Sequence, residues 1–394
     1  MHAIAKLFVS LALLLVPMTL SAGPEGGGPK IPVDELWECD FLHPEACPAL
    51  ARLAAHDDHV ALFKRLLDHE EPIARRAGAR LIQRRPSEEI APRLVPLLAD
   101  PDPDVRTDVL NALSVSGSRA QATAIMELLA EEQRESARVA ALRALGRLEV
   151  TEAIPVLIAA LDSEADYERE AAALSLGLLR ASAAWLPLAT LAATPDLEGF
   201  IRLAATRALV QIGDRRAIPT LFLAATDPDV EIQRMAVLGL GALNATGAVP
   251  LLIELLSQSE LLAQTIRALG QMDDPRVVDP LLTVLRAEDL PVDLRRPIPI
   301  ILGRRQVTRA LPELLGMLRD PETPFRIEII DALGHMKDER ALTRLIELLE
   351  SDDPYVIGAV NTALSRITGE LFDPDPEAWS SWLAGRKSPP QAQD

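Results

Sequence analysis

The chain has 394 residues, 48% of them hydrophobic but only 3% aromatic, with a formal net charge of −18. A core of Leu, Ala, Ile and Val follows, which suits helix-on-helix packing better than a β-sandwich. So acidic a balance argues against sequence-blind nucleic-acid binding and against docking on anionic lipid. In chain order, residues 1–23 have the layout of a signal peptide. Lys6 precedes an apolar run from Leu7 to Val16, and Ser21-Ala22-Gly23 offers small residues for cleavage. The implied localisation is periplasmic or secreted. The short apolar run and Pro17 argue against a retained anchor, and no later stretch is long and apolar enough to span a membrane. Residues 24–33 form a glycine-rich flexible leader.

Residues 34–58 read as an N-terminal cap containing both cysteines, Cys39 and Cys47. An even count in an exported chain favours a disulfide between them. The alternatives are a free pair or half of a metal site with His43, for which a second ligand pair is missing. Trp37 and Phe41 stand one turn apart and are expected to pack inward.

From His59 to about Gly369 the sequence echoes itself about every 30 to 32 residues, giving about ten units. Prolines at 92, 155, 187, 219, 250, 280 and 312 open the first helix of a unit, where the missing N–H has no helical partner anyway. Stripes such as Ile154, Leu157, Ile158 and Leu161 bury one face only. Aspartates in turns such as Asp100 to Asp104 are placed to cap the second helix. A helix pair of this length cannot bury its apolar face alone, so the pairs must stack.

The opening Ala-x-Pro, the mid-unit Asp-Pro, the Val/Ile-Arg pair and the closing Ala-Leu-Gly resemble HEAT repeats. They are of the short bacterial type similar to those in phycobilisome lyases. The resemblance implies an all-α, right-handed α-α superhelical solenoid. It also implies that the arginines at 106, 138, 169, 202, 295 and 326 each meet an Asp between units, forming a ladder. On function it is nearly silent, because the family hosts scaffolds, adaptors and a few enzymes.

Two units depart from the pattern. One has Leu262 in the arginine position, and the next carries Pro297 and Pro299 inside its second helix. A hinge over 257–305 and a local irregularity without a role both remain open. Residues 370–385 form a C-terminal capping helix in which Trp379 and Trp382 either close the last repeat or clamp a ligand. Residues 386–394 are a disordered tail.

No cofactor or metal motif emerges, and no catalytic residue is assigned. His56 and His59 with Asp57 and Asp58 form a dense polar cluster, read as a solvated turn against a metal site. Deoxyhypusine hydroxylase, a HEAT-type enzyme, binds di-iron through several His-Glu dipeptides; this chain has His69-Glu70 alone. The lyase subfamily attaches a bilin to a protein cysteine.

Second helices line the concave face of such stacks. Helical spacing puts Arg143, Arg147, Leu174, Arg207, Gln211, Leu238, Arg267, Gln271, Arg304 and His335 there. More arginine than acid, together with leucine, suits an extended protein or peptide partner bearing carboxylates and apolar anchors. The expectation is therefore a non-catalytic exported scaffold. The alternative is an enzyme or accessory enzyme on the same frame, lyase-like or metal-dependent.

Overall fold

Proline in opening turns and aspartate at the caps divide each repeat into two helices, and the computed structural model shows the result over residues 31–38, 47–55 and 58–387. The expected signal peptide, most of the expected leader, Cys39, Phe41, His43, His56, Asp57 and residues 388–394 lie outside the described residues. Two short helices come first, α1 (Val33–Trp37) and α2 (Pro48–Ala54). The pairs begin with α3 and α4 (His59–Leu67, Pro72–Arg84), α5 and α6 (Ala91–Leu94, Pro103–Ser116), and α7 and α8 (Ala122–Glu131, Glu135–Arg147). They continue with α9 and α10 (Ile154–Ala160, Asp166–Leu178), α11 and α12 (Trp185–Ala192, Gly199–Ile212), and α13 and α14 (Ile218–Ala224, Val230–Ala242). Next come α15 and α16 (Val249–Leu255, Leu262–Gln271), then α17 (Val278–Arg286) with a split second helix, α18 and α19 (Val292–Arg295, Pro297–Arg304). The last pairs are α20 and α21 (Leu311–Met317, Arg326–Met336) and α22 and α23 (Leu342–Glu347, Pro354–Thr368), followed by α24 (Pro376–Lys387). Among the described residues there is no strand.

The caps are those the turns announce. Asp102, Asp229 and Asp353 each accept a backbone N–H from the first turn of α6, α14 and α23 at 2.8 Å. Gly213 and Gly369 end α12 and α23 with φ of 73° and 80°, in the left-handed region glycine enters without strain.

Two compact units divide the chain, one through Ala137 and one from Arg138, with the division in the first turn of α8. In the smaller unit α4 packs on α6. In the larger, α10, α12, α14, α16, α19, α21 and α23 each pack on the next. The approach is close: a Cβ on Gly241 would lie 2.5 Å from Ala268 Cα, and one on Gly303 would lie 2.4 Å from Ala332 Cα.

The arginine ladder is partial. Arg106, Arg138 and Arg202 reach Glu132, Glu168 and Asp227 of the following repeat. Arg75, which the sequence reading missed, does the same with Asp100 at 2.7 Å. Three arginines do otherwise. Arg169 bonds Asp166 of its own helix and the Ser163 carbonyl. The Nε of Arg326 is buried without a partner. Asp100 and Asp227 stand 25 residues beyond Arg75 and Arg202; the same offset from Arg169 and Arg326 falls on Thr194 and Ser351, which carry no charge. Arg295 sits over the Phe325 ring, 5.5 Å from its centroid, and reaches the Leu285 carbonyl.

Pro297 and Pro299 interrupt hydrogen bonding but not the course of the chain, since Arg296 between α18 and α19 keeps helical torsions (φ −51°, ψ −38°). At the N-terminal end Trp37 does not pack inward. It is 59% exposed, and Leu36 is the buried residue. A helix of barely one turn turns one side to α4, and Leu36 takes it. Cys47 is buried and its sulfur accepts from Leu50 N at 3.3 Å. At the other end Trp379 is fully buried against the last repeat, donating Nε1–H to Asn361 Oδ1 at 3.0 Å. Phe372 and Trp382 flank it edge-on, with centroids at 4.8 and 5.8 Å.

Candidate functional site

A second helix spends one face on its own first helix and two flanks on its neighbours, which leaves one stripe open. All ten residues of the expected stripe fall in the larger unit and none is fully buried. Arg143, Arg147, Arg207, Gln211, Arg267, Gln271 and Arg304 are exposed, while Leu174, Leu238 and His335 are half-buried. At one register, successive second helices present Arg143, Leu174, Arg207, Leu238 and Arg267, so that cation and leucine alternate.

The cations are not equivalent. Arg143 Nη2 donates to Glu170 Oε2 of α10 at 2.8 Å, so its charge is committed between helices. Arg207, Arg267 and Arg304 make no hydrogen bond or ion pair among the described residues. Three forked cations facing solvent in so acidic a chain can each take a carboxylate in a bidentate grip.

The sequence reading missed the aromatic part of the surface. Tyr167 at the start of α10 and Phe200 at the start of α12 stack with centroids 5.5 Å apart and planes 27° apart, and Tyr167 is 57% exposed. Leu178 on α10 is 52% exposed. Tyr167 and Phe200 both stand two residues before the repeat's arginine, Arg169 and Arg202, and that shared offset was the available signal.

Further along, His335 of α21 and Arg366 of α23 meet. His335 Nδ1 lies 2.9 Å from the Asp331 carbonyl and 3.4 Å from Asp331 Oδ2. Arg366 Nη1 lies 3.3 Å from the same Nδ1 and also pairs with Asp331.

The other described histidines have structural partners. His59 stacks on Phe63 and touches Arg85, and His69 Nδ1 accepts Glu71 N at 3.0 Å before α4. Among the described residues no group of three ligating side chains stands close enough to hold a metal, and no helix is long and apolar enough to cross a membrane. The shifted titrations lie away from the stripe. The Arg276 guanidinium holds the Asp274 carboxyl at about 2, and Arg286 lowers that of Glu313 across first helices α17 and α20.

Comparison with known proteins places this surface in context. The profile of HEAT repeats matches residues 60–146, 154–222, 189–265, 218–296 and 288–365, and that of the PBS lyase HEAT-like repeat matches 137–163. The chain is 31% identical over 171 residues to phycocyanobilin lyase subunit alpha of Synechococcus elongatus; the match covers 33% of this chain and 63% of that relative. The chain therefore spans less than two thirds of the relative's length. The complex of CpcE and CpcF of phycocyanin lyase from Nostoc sp. PCC7120 is similar at 22% identity and TM-score 0.36, covering 71% of this chain and 94% of that one. A Kap95p structure with RanGDP is similar at 13% identity and TM-score 0.49, covering 82% and 50%.

The lyase relative corrects the expectation of a non-catalytic scaffold. A lyase subunit is 31% identical over 171 residues, which favours the lyase-like alternative over the scaffold. Repeat periodicity could not have shown this, because it records packing and not what the open stripe does. What the repeats establish, from residue 60 to residue 365, is that this chain belongs to the HEAT-repeat family.

Proposed function

We propose that this chain is a lyase-type subunit. Its open second-helix stripe holds an elongated, partly apolar substrate that carries carboxylates while a protein partner presents the acceptor. The observation that carries this is the 31% identity over 171 residues to a phycocyanobilin lyase subunit. The stripe supports it chemically. Tyr167, Phe200, Leu174, Leu178 and Leu238 offer flat and branched apolar contacts, and Arg207, Arg267 and Arg304 offer uncommitted cations. A linear tetrapyrrole such as phycocyanobilin, conjugated and bearing carboxylates, has the required mixture. The relative favours this over a metal-dependent activity on the same frame.

The partner completes the reading: a protein with a thiol acceptor, lying along the same stripe and contributing carboxylates of its own. Export to the periplasm or beyond, with cleavage after residues 1–23 and a Cys39–Cys47 disulfide, belongs to the same proposal. No described cysteine is free, which supports the disulfide. N-terminal sequencing of the protein from its native cell tests the cleavage.

The test of function is to mix the purified chain with phycocyanobilin and follow its absorption band. A cysteine-bearing acceptor is then added, and covalent transfer is scored by chromophore fluorescence in a denaturing gel. Binding with acceleration of attachment or detachment over the protein-free rate is expected. An unchanged spectrum with no acceleration overturns the reading.

A further inference from the structure

Lyase chemistry adds to or eliminates across a double bond, so one group must carry a proton between the two partners. Near neutral pH histidine is the side chain that does this at its ordinary pKa. Of the described histidines, His59 is stacked on Phe63 and His69 is spent before α4, which leaves His335 on the open face. Its surroundings are ordered for the task. Nδ1 lies 2.9 Å from the Asp331 carbonyl and 3.3 Å from Arg366 Nη1, and in the tautomer with the proton on Nδ1 the carbonyl accepts it and Nε2 keeps its lone pair. Asp331 Oδ2 at 3.4 Å stands beside the ring, ready to balance a charge that develops there. Arg366 holds Asp331 in place from the next helix. Arg304, one second helix earlier and four residues beyond Ile300 as His335 is beyond Asp331, stands at the same register with no partner among the described residues.

We propose that His335 is the acid–base group of the lyase reaction, positioned by Asp331 and Arg366, with Arg304 receiving a carboxylate of the substrate beside it. This rests on the lyase reading above. In the addition direction Nε2 takes the proton of a thiol S–H. The sulfur electron pair forms the C–S bond at one carbon of a conjugated C=C. The displaced π pair takes the proton back from Nε2–H at the other carbon. The net change is addition of a thiol across a double bond, with no oxidant or reductant, and elimination is the reverse.

The experiment compares wild type, His335→Ala, His335→Gln and Asp331→Asn with phycocyanobilin and a thiol acceptor, measuring chromophore binding by absorbance and turnover by covalent product. His335→Ala and His335→Gln are expected to lose about 100-fold in kcat or more, with KM and chromophore affinity within about twofold. Added imidazole should restore part of the turnover of His335→Ala, a rescue that a packing role would not give. Asp331→Asn is expected to fall between them and wild type. An active wild type with full turnover in both His335 variants, or a loss confined to folding by circular dichroism without imidazole rescue, overturns this inference alone. An inactive wild type overturns the lyase reading and this inference with it.

Discussion

Removal of Glu132 tests whether the ladder is what binds one repeat to the next. Its carboxylate is 4% exposed and Arg106 is 19% exposed. Arg106 Nε and Nη2 donate to its two oxygens at 2.5 and 2.8 Å, and the backbone N–H groups of Gln133 and Arg134, just ahead of α8, donate at 3.0 and 2.9 Å. Glu132→Ala leaves Nε and Nη2 of a half-buried guanidinium and two backbone donors without their acceptor, while Nη1 keeps the Asp100 carbonyl at 2.8 Å. Breaking one side of a buried pair costs about 3–5 kcal/mol, against about 1–2 kcal/mol for Glu132→Gln, which keeps an oxygen for the backbone. Urea unfolding with hydrogen exchange of α6 and α8 amides reads both, with Glu131→Ala as an exposed control.

The pH dependence has a definite sign. Hydrogen bonding from Arg106, then from the Arg134 backbone N–H, holds the Glu132 carboxyl below its ordinary range. The stabilisation is therefore complete above the unfolded value of about 4.3 and disappears as pH falls through the lower folded value. The gap between wild type and Glu132→Gln should be constant from pH 7 down to about 5 and close below about 4. A cost for Glu132→Ala below about 1 kcal/mol, or a gap that widens in acid, would refute the argument.

Three further outcomes follow from the surface and the cap. Combined Arg207→Glu, Arg267→Glu and Arg304→Glu should abolish capture of a carboxylate-bearing substrate or partner by pulldown, with circular dichroism unchanged, since none of the three is paired among the described residues. Tyr167→Ala should weaken chromophore binding measured by absorbance titration about fivefold or more, yet cost less than about 1.5 kcal/mol in urea unfolding, because an exposed aromatic pair contributes little more than that to the fold. Trp379→Ala should cost about 3–5 kcal/mol and expose α24 to proteolysis, because the ring is fully buried and its Nε1–H is bonded.

The repeat was legible because its signals are local: a proline in an opening turn and an aspartate at a cap act within a few residues of themselves. The ladder was legible only by half. An arginine announces its side of the contact, but whether it crosses to the next repeat, as Arg75 does to Asp100, or turns back on its own, as Arg169 does to Asp166, depends on whether an acid stands 25 residues later, and there Arg75 has Asp100 but Arg169 has Thr194. Helical spacing alone picked the ten positions, of which seven are exposed and three half-buried. It could not show that Glu170 takes up Arg143, or that Tyr167 and Phe200 stack across repeats, because both depend on the stagger between neighbouring helices. At the N-terminus, the one-turn spacing of Trp37 and Phe41 favoured Trp37, yet the short α1 turned Leu36 inward instead.

Geometry also constrains what the uncommitted arginines can hold. Packed helices lie about 8–10 Å apart, so Arg207 on α12 and Arg267 on α16, with α14 between them, stand roughly 16–20 Å apart. That exceeds the screening length of about 10 Å at 0.1 M salt, so the two cannot act as one electrostatic cluster on a small anion. A compact dianion would use one arginine and leave the other idle. Only a ligand as long as the interval gains from both, and Leu238 lies between them where such a ligand must cross apolar surface. An extended segment of protein with separated carboxylates therefore fits both arginines, while a linear tetrapyrrole, whose two carboxylates stand on neighbouring rings at its middle, engages one and lays its apolar ends along the leucines; a free phosphate or a short dicarboxylate gains from neither arrangement.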